Sequence, residues 1–306
     1  MKKTLKKLTP LISIVFFGFA LWFLSDELHK YKFSEITAQL SQIPNHFILL
    51  SLVLSFLSYL VLTGYDALGV RYIGEDLPPG KIIRAGYVGY AFSHNIGLAL
   101  ITGGSIRYRI YSTWGFSGFQ VTQIVGFSAF TLWIGFCTVG GLSMLFATPN
   151  LPSDVTLPFV SLRVLGVILL LMVVGYVWAS AKVKKEITFK NWTFTFPSLK
   201  LSLKQVAIAS VDWILAASVL YVLLPDSTAN FFSFLGVFLI AQIIGLFSQV
   251  PGGLGVFESV MLLYLSSFMP GSEVLGILVV YRIIYYILPL LGALIVLGYQ
   301  EYRANR

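Results

Sequence analysis

The chain has little charge to spend on a water-facing surface. Of its 306 residues only 11% are Asp, Glu, Lys or Arg, and 57% are hydrophobic. Soluble domains carry about 25% charged residues, so a soluble globule is excluded. A single cysteine, Cys137, rules out a disulfide within the chain, and three scattered histidines leave no metal cluster to build. No Gly-rich loop ends in Lys-Ser or Lys-Thr, so ATP is not a direct energy source. No Ser/His/Asp or Cys/His set stands out either, so the chain does not read as an enzyme, and nothing in it calls for a cofactor. No Ser/Gly/Pro-rich or charged linker is long enough to separate two folded units, so residues 1–306 read as one domain.

What the chain has is apolar runs of about 20 residues, the length that spans hydrocarbon. The mean hydropathy is +0.84. The net charge of +8 sits in short loops between those runs. That is the positive-inside pattern of a membrane protein and not a nucleic-acid footprint. Lys2, Lys3, Lys6 and Lys7 precede an apolar stretch from Leu8 to Leu24 that ends in Leu21-Trp22-Phe23, too bulky for signal cleavage. The stretch reads as a first span with a cytoplasmic N-terminus.

Loop charge then sets the topology. Residues 25–46 fall outside, and a span at about 47–70 returns to Arg71, Lys81 and Arg84 inside. A span at about 120–146 leads to the Lys/Arg-free segment Thr148–Leu157, outside. The span at about 158–181 ends in a cytoplasmic loop, 182–204, with Lys182, Lys184, Lys185, Lys190, Lys200 and Lys204. Within it Glu186–Pro197 alternates apolar and polar residues about Asn191-Trp192, the pattern of a small β-hairpin or of an irregular interfacial loop. Spans at about 205–224 and 274–299 follow, with Arg303 and Arg306 holding the C-terminus inside. The expected fold is an all-α integral membrane protein, a polytopic bundle of about eight spans in a bacterial inner membrane.

Two segments resist this count. In 85–119 both ends look cytoplasmic, and the apolar part is broken by Ser93-His94-Asn95 and ends at Gly103-Gly104. In 231–268 the middle reads Gln249-Val250-Pro251-Gly252-Gly253-Leu254-Gly255-Val256-Phe257-Glu258. Proline removes a backbone donor and glycine admits left-handed geometry, so both break helices. A broken backbone at membrane depth survives only where protein or a wet cavity covers it. The segments read as two interrupted, re-entrant hairpins reached from opposite sides, as an inverted repeat would produce. Matched interruptions of this kind point to a transporter's binding site. The competing reading makes the glycines ordinary turns at the water boundary.

The few ionisable residues in apolar runs cost roughly 2.5–3.5 kcal/mol each at a helix centre, so they should face the bundle interior. Asp66 and Arg71 are five apart, a poor spacing for a direct pair. Arg107 and Arg109 lie in an amphipathic piece with Tyr108, Tyr111 and Trp114. Either they snorkel at the interface or they hold a lipid phosphate bidentately. Arg282, flanked by Tyr281, Tyr285 and Tyr286 and followed by the kinking Pro289, needs an acidic partner, Glu258 or Asp66. Asp212 and His94 fit either a packing role or a proton relay. The candidate substrate-binding set is Asp66, Gly103, Gly104, Arg107, Arg109, Pro251, Gly252, Gly253, Gly255, Glu258 and Arg282.

Four runs carry a resemblance. These are Gly64-Tyr65-Asp66, Gly103-Gly104-Ser105-Ile106-Arg107-Tyr108-Arg109-Ile110-Tyr111, the run from Pro251 to Glu258, and Tyr281-Arg282-Ile283-Ile284-Tyr285-Tyr286. Together they resemble the transmembrane region of the lysylphosphatidylglycerol synthase/flippase family, in length and loop plan closest to its stand-alone YbhN-like inner-membrane members. In two-part members of that family the membrane region is taken to carry aminoacylated phosphatidylglycerol to the outer leaflet, while a soluble domain makes it. The chain ends at Arg306, so the synthase domain is expected to be absent. The resemblance implies a lipid translocase acting on a phospholipid or aminoacyl-phospholipid. Its partners would be the lipid and either a second copy of the chain or a separate lipid-modifying enzyme. The alternatives are a polyprenyl-phosphate or glycolipid carrier and an ion-coupled transporter of a small solute.

Overall fold

The computed structural model describes residues 43–96, 99–146, 162–183, 187–189, 192–225, 230–248 and 250–304. The expected first span, the loops at 25–42 and 148–157 expected outside, and the charged tip of the expected cytoplasmic loop lie outside these residues. The chain is an all-α membrane protein. Among the described residues five helices are long and apolar enough to cross a bilayer. They are α1 (Asn45–Tyr72), α4 (Gly118–Phe146), α5 (Leu162–Lys182), α6 (Leu199–Tyr221) and a last rod that begins at Gly271. The rod consists of α9 (Gly271–Arg282), a π-helical turn (Ile283–Ile287) and α10 (Leu288–Ala304). The lipid-facing character is plainest on α5, where Leu171, Met172, Val174 and Trp178 are all exposed. A continuous apolar exterior of this kind is foreign to soluble monomers.

Between the long helices lie two hairpins of short ones. The first is α2 (Pro79–Ile96) and α3 (Ala99–Ser112). The second is α7 (Phe231–Phe247), a 3₁₀ turn at Pro251–Gly253, and α8 (Val256–Leu265). At about 1.5 Å per residue, the 14 residues of α3 reach about 21 Å and the 10 of α8 about 15 Å. Neither length covers the ~30 Å of a hydrocarbon core. Both segments expected to be interrupted are therefore interrupted, but the first is not broken where expected. Ser93-His94-Asn95 lies within α2 and Gly103-Gly104 within α3, and the helices end at Ile96 and begin again at Ala99.

Several boundaries differ from expectation. The first hairpin starts at Pro79, so Lys81 and Arg84 lie on α2 and not ahead of it. Helix α6 starts at Leu199, where the Ser198 side chain caps it by accepting from the Leu201 N–H at 3.3 Å. Lys200 and Lys204 consequently sit on the first turns of α6, and the 182–204 loop is shorter than its lysines suggested. The surface β-hairpin is present, with β1 (Ile187–Phe189) antiparallel to β2 (Trp192–Phe194) and Ile187 opposite Phe194. The Tyr72 hydroxyl at the end of α1 donates to the Thr195 carbonyl at 2.8 Å. That bond puts Arg71 and the hairpin on one side of the bundle.

Helix α1 shows how an apolar sequence selects its buried face. Ser51, Ser55 and Ser58 recur at spacings of four and three, one helical stripe, and all are buried. Ser51 donates to the Val219 carbonyl at 2.8 Å and Ser55 to the Ile284 carbonyl at 3.1 Å. Interhelical bonds of this sort, with small residues at the contacts, hold helices together where lipid removes the hydrophobic drive. Glycine supplies such a contact between α4 and α6, where a Cβ on Gly135 would stand 2.6 Å from that of Ala209.

The last rod contains the least regular backbone. Pro289 has no N–H to give, and Leu288 N–H reaches back to the Ile283 carbonyl, five residues away. Side chains from other helices take the carbonyls loosened there. Ser55 takes Ile284, Tyr59 takes Tyr285 at 3.1 Å, and Asn95 takes Tyr286 at 3.2 Å. The kink expected from Pro289 is thus a π turn, satisfied by α1 and α2.

Candidate functional site

The two interruptions touch. The C-terminal end of α2 packs against the 3₁₀ turn of the second hairpin. A Cβ on Gly252 would lie 3.5 Å from the His94 carbonyl oxygen and 3.6 Å from that of Asn95. Around this meeting point lies a cavity of about 470 Å³, within the ~300–1,000 Å³ of small-molecule sites. Both hairpins contribute to its wall, with Tyr90, Ser93, His94 and Arg107 from the first and Gln242, Val250, Gly252 and Gly253 from the second. Asp212 and Trp213 of α6 and Tyr285 and Tyr286 of the π turn complete its polar and aromatic part, and residues such as Leu62, Val125, Leu132 and Ile243 make the rest of the wall largely apolar.

The second break is a closed ring of contacts. Gly252, Gly253 and Gly255 have φ of 59°, 63° and 75°, a region costly for any residue with a Cβ. The turn therefore needs this run of glycines. Glu258 then serves twice. Its Oε2 accepts from the Gly255 N–H at 2.7 Å and caps α8. Its Oε1 accepts from Arg282 Nε at 2.5 Å, and Arg282 Nη1 donates back to the Gly252 carbonyl at 2.6 Å. Arg282 packs over the Tyr286 ring at 4.6 Å. So Arg282 does find Glu258. The ring turns the guanidinium toward the back of the turn, and Arg282 and Glu258 do not line the cavity.

The first hairpin is anchored by a matching pair. Arg107 of α3 meets Asp66 of α1 in a fork, Nε to Oδ1 at 2.8 Å and Nη2 to Oδ2 at 2.9 Å. The Tyr111 hydroxyl adds a bond to Asp66 Oδ1 at 3.1 Å. The guanidinium lies 4.2 Å from the Tyr90 ring, and Asp66 is fully buried. Only small residues leave room for it. A Cβ on Gly89 would fall 2.7 Å from Arg107 Cζ, and one on Gly103 would strike the Ser93 hydroxyl and stand 2.9 Å from Nη1. Nη1 is 3.5 Å from the Gly103 carbonyl, a long bond. Arg107 does face the cavity. Buried and paired, it is not a snorkelling interfacial residue.

The expected set thus divides. Asp66, Gly103 and Arg107 form one cluster and Gly252, Gly253, Gly255, Glu258 and Arg282 the other, with Pro251 opening the turn. Arg109 and Gly104 fall outside the cavity wall. Two positions along a helix is a rotation of about 200°, so Arg109 points away from Arg107's face, and Gly104 faces Val125 of α4. Asp212, left out of that set, lies on the wall. Its Oδ2 accepts from Tyr65 at 2.8 Å and its Oδ1 from Ser58 at 3.2 Å. The serine stripe on α1 that ends at Ser58 was the sequence signal for it.

A sequence profile described as the lysylphosphatidylglycerol synthase TM region matches residues 11–293. The chain belongs to that family. Among relatives of this lysylphosphatidylglycerol synthase transmembrane-region chain, the uncharacterized protein slr0712 of Synechocystis is 36% identical over 99% of this chain and 94% of its own length. The inner membrane protein YbhN of Escherichia coli is 34% identical over 86% of this chain and 83% of its own. Phosphatidylglycerol lysyltransferases of Staphylococcus aureus are 25% identical over 96% of this chain, which corresponds to only 34% of their length. The membrane region shared with them contains both anchored breaks.

Proposed function

We propose that the protein is a lipid translocase, and not an enzyme, which moves the head group of a phospholipid or aminoacyl-phospholipid between leaflets of the bacterial inner membrane. The observation that carries this reading is the cavity at the meeting of the two broken hairpins. A phosphate cannot cross hydrocarbon bare, and a hollow inside the bundle that presents Arg107 and other polar side chains on a largely apolar wall lowers that barrier. The hollow is large enough for a head group and too small for a whole two-tailed lipid, so the acyl chains stay outside in the bilayer.

Arg107 is the residue for the phosphate. Asp66 engages Nε and Nη2, which leaves Nη1 to offer a phosphate oxygen. Glycine backbone at the second break, Gly252 and Gly253, lines the cavity and can approach the ligand closely. Arg282 and Glu258 shape the second break from behind. In this reading both termini are cytoplasmic and the hairpins are reached from opposite faces. The family membership and the name of the E. coli relative support the membrane setting.

Purified protein in vesicles with several labelled phospholipids, with and without an ion gradient, tests this. Exchange of a label between leaflets faster than in protein-free vesicles is expected. No exchange of any phospholipid would remove the proposal. Exchange of polyprenyl-phosphate alone would favour the carrier of that lipid, which needs the same phosphate donor.

A further inference from the structure

The charges in and behind the cavity wall do not cancel. Arg107 is matched by Asp66 and Arg282 by Glu258, which leaves Asp212 as the surplus. It is buried, 3% exposed, and lies on the cavity wall. Among the described residues its carboxylate contacts hydroxyl groups and no cation. An ionised carboxylate in such a place is costly, and the usual resolution is to take up a proton or meet a cation.

The bonds around Asp212 suit a group that switches. When it is ionised, Oδ2 accepts from Tyr65 and Oδ1 from Ser58. Ser58 Oγ lies 3.0 Å from Tyr285 Oη, and since the serine proton points at Asp212, Tyr285 donates to Ser58. When Oδ1 carries a proton, that proton can be donated to Ser58, and Ser58 turns its own toward Tyr285. Tyr285 then points its proton into the cavity it lines. Every group stays bonded in both states. The net change is one proton taken up by the carboxylate from the cavity side.

From this we infer that Asp212 is a proton-binding site that couples head-group transfer to proton movement. The inference rests on the translocase reading. A phosphate arriving at Arg107 meets a cavity that carries one excess negative charge. Protonation of Asp212 removes that charge, so proton and anionic head group bind more tightly together than alone, and by linkage each promotes the other. Other groups face the same space. They are Tyr90 and His94 from α2, Arg107 from α3, and Tyr285 and Tyr286 from the π turn; Tyr65 and Tyr59 of α1 do not line it but bond to Asp212 and His94. Helices α4 and α7 add Ser128, Trp133 and Gln242, which do not titrate. Of these groups His94, whose Nδ1 lies 3.3 Å from Tyr59 Oη, is the rival proton acceptor.

The test uses vesicles holding the wild-type protein and labelled phosphatidylglycerol, with a pH dye trapped inside. Transfer is expected to run several-fold faster at mildly acidic than at mildly alkaline pH, with proton movement that follows the lipid. Asp212→Asn should still transfer, but without pH dependence or proton movement, and Asp212→Glu should regain both. If wild-type protein transfers lipid with no proton movement and no pH dependence, the coupling is wrong while the translocase reading stands. A pH dependence that survives in Asp212→Asn and vanishes in His94→Gln would place the site at His94 and overturn the inference. No lipid transfer by wild-type protein would defeat the translocase reading, and the coupling with it.

Discussion

Asp66→Ala should cost the folded protein about 3–5 kcal/mol, because it leaves the Arg107 guanidinium buried without its carboxylate. Arg107 is 3% exposed and held in a fork at 2.8 and 2.9 Å. Truncating the acid also strands the Tyr111 hydroxyl, which shares Oδ1. The pair is different when removed whole. Replacing a buried ion pair by apolar residues of similar volume is often neutral or stabilising. The triple variant Asp66→Leu, Arg107→Met, Tyr111→Phe should therefore regain most of the stability lost in Asp66→Ala. It should not regain lipid transfer, because the phosphate donor has gone. Thermal unfolding in detergent reads the first quantity and leaflet exchange in vesicles the second. If the triple variant still transferred lipid, Arg107 would be an anchor only.

Arg282→Ala is expected to reduce transfer to the level of protein-free vesicles while leaving membrane insertion intact. The cause differs from that at Arg107. Arg282 does not reach the cavity, but it ties the Gly252 carbonyl to Glu258 and so holds the turn that forms part of the wall. Without it the three left-handed glycines lose their tether. Arg282→Lys should fail almost as completely, because an ammonium lacks the planar fork that bridges a carboxylate and a carbonyl. Glu258→Gln should be milder than Glu258→Ala. The amide oxygen can still cap α8 through the Gly255 N–H, although the charge is lost. Insertion is checked by membrane extraction and function by the same exchange assay. Full transfer by Arg282→Ala would mean that the break does not need its tether.

Much of this could be read from the chain before its fold was known. Long apolar runs gave the spans, since span length follows from bilayer thickness. The Pro251–Glu258 run announced a break because its cause is local, glycine conformations and a missing proline donor. Arg282 had to have an acid, and Glu258 was one of two candidates. The hairpin at Ile187–Phe194 showed in strict alternation. What stayed hidden depends on distance or on other helices. Asp66 and Arg107 are 41 residues apart, and no spacing rule joins them. Arg109 looked equivalent to Arg107 until helical phase set the two on different faces. That phase was available from sequence, with Gly103 one turn before Arg107 and Gly89 on α2 to receive it. The π turn is stabilised by Ser55, Tyr59 and Asn95 from other helices, so Pro289 alone predicted a kink but not its form. Asp212 took its meaning only when both arginines proved to be matched already.

Two broken hairpins that meet around water within the bilayer are the physical core of the proposal. A spin label on a cysteine at Val250, in a background with Cys137→Ser, measures this directly. Val250 adjoins Pro251 on the cavity wall. The label should be deep against depth-calibrated lipid spins and yet relax strongly with a water-soluble paramagnetic reagent. A label found at head-group depth would contradict the account, and so would one that is deep and relaxed only by oxygen.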